Sequence, residues 1–264
     1  MEPTTPPAAL PQPAEPAAAA SWPREPRHLA ASRGASWWGE GWRIFTAAPL
    51  QWLGVLVMIV VINIVLGIIP VIGSLAATVL GPIFAGGLLL GCHALARGQP
   101  LQFTHLFAAF QSDRLTPLAI LGLVVLAVGV VVALAVGALV FGTAGAALLT
   151  GAMQGSDHAL TAALAGMSGA ALLGGLIALV AFAAFFMAWW FAPALVTLHR
   201  APPIDALQAS FHASVANFGA QLVFGLIFIG LAIVASIPFG LGWLVLAPVA
   251  IGASYASWRE VFGD

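Results

Sequence analysis

From Gln51 onward the chain consists of long apolar runs separated by short polar joints. Six such runs fall at about residues 51–69, 71–95, 117–141, 170–197, 218–236 and 241–258. A helix rises ~1.5 Å per residue and a bilayer's hydrocarbon core is ~30 Å thick, so about 20 apolar residues suffice to cross it. The pattern predicts an all-α fold, a polytopic transmembrane helical bundle of six spans filling residues 36–264. Residues 142–169 are weakly apolar and broken by Gly, Gln, Ser, Asp and His. They read as an external loop with some helix, or as an extension of the third span.

Three joints share a design. The segments are WWGEGWRIFTAAPLQW (37–52), RGQPLQFTHLFAAF (97–110) and RAPPIDALQASFHASVANF (200–218). Helical spacing puts Trp38, Trp42 and Phe45 on one face in the first, and Phe103, Phe107 and Phe110 in the second. In the third it gathers Ile204, Leu207, Phe211 and Val215. The polar sides carry Glu40 and Arg43, then Gln102, His105 and Ser112, then Asp205, Gln208 and His212. Each is expected to be a short amphipathic helix leading into a hairpin of two spans. Aromatic faces of this kind suit the headgroup level. The first could equally be the aqueous start of its span.

Proline and glycine mark the hairpins. Ile69-Pro70 and Ile237-Pro238 end the first and fifth spans, and Pro82 and Pro248 fall inside the helices that return. Proline cannot donate to the preceding turn, so both returning helices should kink, with a hydroxyl such as Thr78 serving the freed carbonyl. Gly87 and Gly91 have GxxxG spacing, and Gly166, Ala170, Gly174 and Ala178 form a small-residue seam. The arrangement of joint, span, turn and span therefore occurs three times as a weak internal repeat. Its copies share one orientation, which would set a symmetry axis along the membrane normal.

Composition sharpens this picture. The 264 residues are 61% hydrophobic and 6% charged, against roughly 25% charged in soluble domains. A net charge of −1 gives no field that would attract nucleic acid. The eight basic residues are all arginine, which fits GC-rich coding DNA and a bacterial origin. Arg24, Arg27, Arg33 and Arg43 precede the first span, Arg97 and Arg114 lie between the second and third, Arg200 between the fourth and fifth, and Arg259 after the sixth. Under the positive-inside rule this places both termini in the cytoplasm. Residues 1–35 are Pro/Ala-rich and are expected to be a disordered cytoplasmic tail. They lack a signal peptide's basic start, so nothing should be cleaved.

Little chemistry is written into the spans. No ionisable group lies well inside one. The polar candidates are Asn63 and Gln221, amides that more often bond a neighbouring helix than a substrate. Cys92 and His93 are adjacent and point to different faces of a helix, which argues against a metal site. His105, His199 and His212 would meet only if the joints came together. Asp113 and Asp205 read as solvated or first-turn residues. No catalytic residue, cofactor site or metal site is predicted.

The run GWRIFTAAPLQWLG, then IPVIGS with Pro82, then RGQPLQFTHLFAAF, resembles an uncharacterised proteobacterial family of small six-span inner-membrane proteins. PPIDALQASFHASVANF is similar, more loosely, to the membrane domain attached to some glycerophosphodiester phosphodiesterases. The first resemblance implies fold and inner-membrane location and brings no activity. The expected function is a non-enzymatic membrane component that associates with lipid or protein, a second copy of itself included. The alternative is a transporter or channel component with its site at the kinked helices.

Overall fold

The computed structural model describes residues 25–154 and 158–263, and all regular structure among them is helical. In order these are α1 (Arg33–Ala47), α2 (Pro49–Gly67), α3 (Ile72–Ala96), a 3-10 helix η1 (Phe103–Gln111), α4 (Leu115–Met153) and α5 (Ala159–Trp190). α6 (Ala192–His199), α7 (Pro203–Ala216), α8 (Phe218–Ser236) and α9 (Trp243–Phe262) follow. Five stretches are long and apolar enough to cross a membrane: α2, α3, α4, α8, and Ser168–His199, which takes in most of α5 and all of α6. α9 has 20 residues, but its last turns carry Tyr255, Trp258, Arg259 and Glu260 and are packed inside the bundle.

The three hairpins are joined by one repeated contact. η1 packs on α3, the returning helix of the hairpin before it, and α7 packs on α5 and α6, the returning helix before it. α1 has no hairpin before it, and it packs on α9, the returning helix of the last. The repeat therefore closes into a ring. α1 lies between α8 and α9, with Trp38 stacked on Phe224 at 4.6 Å and Gly41 against the backbone of α9. Both Ile-Pro turns place the following residue, Val71 or Phe239, at positive φ (65° and 53°), a second sign of kinship between hairpins one and three.

The packed core gathers side chains of α1, α3, α6 and the second half of α9, with Trp37, Trp258, Tyr255 and Phe191 almost fully buried. Away from it α2, α4, α5 and α8 expose Val, Leu, Ile and Phe on their outer faces. Exposed apolar helices around a smaller packed core are what a bilayer solvates.

Several expectations are corrected. The aromatic stripe of α1 does not face a bilayer, because Trp38 and Phe45 are buried with Trp37, and of the predicted stripe only Trp42 is exposed. Nor is α1 the start of the first span, since the chain breaks at Ala48 (φ −154°, ψ 58°) before Pro49 begins α2. The second joint is a nine-residue 3-10 helix in place of an α-helix. In that winding positions three apart align, so Leu106 and Ala109 share the inward row and Phe107 lies off it, partly exposed; Phe103, at the start of the inward row, is also partly exposed, its ring beside Gly54 of α2. Its partner is the predicted GxxxG face, because a Cβ on Gly87 would lie 2.4 Å from the Leu106 carbonyl.

Residues 142–153 and 159–169 are helical, so the expected external loop is the end of a long α4–α5 hairpin; residues 155–157 lie outside the described residues. α4 has 39 residues, about 58 Å at ~1.5 Å each. In the small-residue seam Ala170 is buried and Gly174 meets Val136 and Leu139 of α4, which is what lets the two helices pair. α3 and α9 continue through Pro82 and Pro248. The Thr78 hydroxyl bonds the Ser74 carbonyl, one turn back, in place of the carbonyl that Pro82 frees.

The expected disorder does not hold for residues 25–35, which are ordered. Residues 1–24 lie outside the described residues, while residues 25–32 form a strap across α7, α8 and α9. The Arg27 N–H donates to the Val261 carbonyl at 2.8 Å. Buried Asn217 accepts the Leu29 N–H at 2.8 Å and donates to the Arg27 and Ala213 carbonyls at 3.0 Å each.

Candidate functional site between the returning helices

The span that returns in the second hairpin is broken. α5 ends at Trp190 and α6 restarts at Ala192, with Pro193 in its first turn. A break inside a membrane leaves backbone groups that need partners, and α7 supplies them. The Phe191 N–H donates to the Ser210 hydroxyl at 2.9 Å. The Met187 carbonyl, its normal helical partner, accepts from the Ser210 and Ser214 hydroxyls at 2.9 Å each. The Gln221 amide then donates to Ser214 at 2.9 Å. Ser210→Ala should cost about 1–3 kcal/mol, the desolvation of an unpaired amide, and appear as a lower unfolding temperature in detergent.

Two hollows flank this break. The first, about 230 Å³, lies between α3, the α5–α6 junction and α9, one returning helix from each hairpin, with Leu88, Trp189, Pro193 and Ile251 in its wall. The second, about 350 Å³, lies between α5, α8 and α9 and is bounded by Gln221, Phe224, Gly225, Phe228 and Ala250. Phe186, Trp190, Ile251 and Ser254 line both. Trp190 is the partition, held by its indole N–H on the Ser257 hydroxyl at 3.3 Å and by an edge contact to Phe224 at 5.0 Å.

A polar belt closes one end of the bundle. His93 Nδ1 and the Tyr255 hydroxyl are 2.9 Å apart, linking α3 to α9. Arg114 Nε donates to the Thr197 carbonyl at 2.6 Å, and Arg200 pairs with Asp113 at 3.6 Å, so the second and third joints do meet. Arg33 pairs with Glu260, whose other oxygen accepts the Trp37 indole N–H at 2.7 Å. Glu40 accepts from Arg43 at 2.9 Å and from Arg259 at 3.4 Å. The Arg43 hydrogen bond holds the Glu40 carboxyl below its ordinary range, although partial burial opposes it. A depressed carboxylate contributes stability above its unfolded pKa of about 4.3 and loses it as pH falls through the folded value. Acidification below about pH 4 should therefore lower the hydrogen-exchange protection of α1 amides, relative to their intrinsic rates at each pH, and Glu40→Gln should remove that dependence.

The remaining sequence candidates scatter. Asn63 faces outward and bonds its own Ile59 carbonyl, so it serves its own helix. His105 joins Gln102 in capping η1, His199 lies against the Trp258 ring, and His212 is exposed beside Phe211. The joints meet, but these three histidines form no cluster, and no group of three metal-ligating side chains occurs among the described residues. Cys92 is buried in α3. Asp205 lies in the first turn of α7, as expected. Of the two span amides, Asn63 faces outward and Gln221 borders the second hollow. Sequence reasoning missed Trp190, Ser210, Ser214 and Ser254, although Pro193 within an apolar run and serines spaced i, i+4 on the next helix were signals.

These features define a multi-pass helical membrane protein. Its sequence is 29% identical over 232 residues to a protein of Burkholderia thailandensis named as a probable inner membrane protein, covering 86% of this chain and 81% of that relative. The likeness and the apolar helices together support an inner-membrane location. No family model matches the chain, and no solved structure matches it.

Proposed function

We propose that this chain is a non-enzymatic inner-membrane component with six spans and both termini in the cytoplasm, and that it associates with lipid through its cytoplasmic joints. The observation that carries the reading is the orientation of α7. Its small side, Ala206, Ser210, Ala213 and Ser214, is buried against the bundle, and Ile204, Phe211 and Val215 are left exposed. A helix that hides its small residues and presents its large apolar ones suits the boundary between headgroups and acyl chains. Phe103 and Phe107 of η1 are exposed in the same way. The looser resemblance to a phosphodiesterase-attached membrane domain falls on α7 and the start of α8.

Depth-dependent quenching or hydrogen exchange in nanodiscs tests the reading. α7 amides should be protected in the wild type, and Phe211→Asp should raise their exchange without unfolding the bundle. Equal exchange in both proteins, or turnover of a defined substrate by purified protein, would sink it. For topology, a periplasm-active reporter after Gln154 should be active and one after Arg114 silent. The reverse result would overturn the six-span arrangement.

One observation favours a transporter instead: the first hollow lies between helices from all three repeats, where transport sites commonly form. The break, however, falls at Phe191, while α3 and α9 run through Pro82 and Pro248. Solute flux into proteoliposomes that depends on Trp190 would establish this second reading.

A further inference from the structure

We propose that the side hollow next to Trp190 is a discrete binding site for one acyl chain of a membrane phospholipid, entering between α5 and α8. This rests on the lipid-associating reading but concerns a different surface from the one α7 presents.

The occupant follows from polarity, position and size. The side hollow is lined almost entirely by carbon, and its polar wall residues, Gln221 and Ser254, are not scattered. α8 starts at Phe218 and α9 ends at Phe262, so Gln221 near the start of one and Ser254 toward the end of the other lie at the same end of the hollow. That end faces the belt of Arg33, Glu40, Arg259 and Glu260, while Phe228 and Ala250 lie farther from it. A site polar at one end and apolar along its length matches an ester-linked chain, with the ester near Gln221 and Ser254 and the methylenes passing Phe224 and Phe228.

The side hollow, about 350 Å³, has room for a slender, flexible chain. Its neighbours Phe182, Phe186, Leu226 and Ile229 are all exposed apolar residues, so the mouth opens onto the surface that acyl chains solvate. Trp190 then separates the occupied side hollow from the one between the three hairpins.

Gly225 supplies the test, because a Cβ built on it meets nothing within 4 Å. Gly225→Leu fills the hollow without striking backbone. The protein is reconstituted in phosphatidylethanolamine/phosphatidylglycerol vesicles containing a small fraction of phospholipid with a diazirine-bearing acyl chain, illuminated and mapped by mass spectrometry. Label is expected on Trp190 and Ile251, and on outward residues such as Val57 and Val61 of α2. Gly225→Leu should cut the first set about tenfold, as loss of a discrete site would, and leave the second unchanged. Phe211→Asp should leave both unchanged, so failure of the α7 reading is told apart from failure of this one. Should Gly225→Leu not fold, Ala250→Leu fills the hollow from the opposite wall and is read in the same way. Label confined to outward faces, or undiminished by a folded filling variant, would overturn the proposal.

Discussion

Gly41→Leu should prevent the protein from accumulating as a folded, monodisperse species in detergent, whereas Gly39→Leu should behave as wild type. A Cβ on Gly41 would lie 2.3 Å from the Val249 carbonyl oxygen and 2.7 Å from the Ala253 nitrogen. Both are backbone atoms of α9, which cannot rotate aside as a side chain can. The partner position is also a glycine: a Cβ on Gly252 would lie 3.0 Å from the Gly41 Cα. To admit leucine, α1 must move off α9, which uncovers Trp37, Trp38 and Ile44. Burial of such side chains is worth about 1.5–3 kcal/mol each against water, and a whole domain is stable by only about 5–15 kcal/mol. At Gly39, two residues away, a Cβ meets nothing within 4 Å, so the pair separates helix contact from helix propensity. An unchanged elution profile and melting temperature in Gly41→Leu would mean that the ring is not closed by this contact.

Asn217→Leu should lower stability by about 2–4 kcal/mol, from loss of bonds to buried backbone groups, and should release the strap of residues 25–32. The side chain is nearly fully buried and serves three backbone groups at once, on Arg27, Leu29 and Ala213. Leucine keeps the volume and removes all three bonds. Limited trypsin digestion gives the clearest reading, because the bond after Arg27 should become cleavable in the variant while the helical bundle resists. If cleavage there is as slow as in the wild type, the strap is held by something other than Asn217.

The parts of this fold that were legible are those that water decides. Long apolar runs announce spans, and the fifth run, at residues 218–236, coincides with α8. Joint positions, hairpin order and the repeat came from the same pattern. Which surface each joint covers was not legible, because the aromatic spacing of Trp38 and Phe45 is the same whether the ring meets lipid or Phe224. Where lipid and protein are equally apolar, hydrophobicity no longer points inward. Gly34, Gly41 and Gly252 held the information about close approach, but the sequence has 29 glycines, and about half of those in the described helices meet nothing. The 3-10 winding of η1 depends on its seat on α3, a tertiary effect. The hollows were illegible for a related reason, since they arise where three helices fail to fill the space around a bulky Trp190. The polar groups beside the break, Ser210 and Ser214, hold its backbone together.

The closure of α1 on α9 also bears on how the protein is made. α1 leaves the ribosome before any of the other described helices, and its partner α9 leaves after all of them. Until α8 is made the Trp37–Trp38 face has no cover, and until α9 follows that cover is incomplete, while Glu40 and Arg43 keep the helix from settling in hydrocarbon. A nascent chain halted before Trp243 therefore displays its defect near its beginning, and membrane proteases can recognise unfinished copies by the first helix as readily as by the broken end.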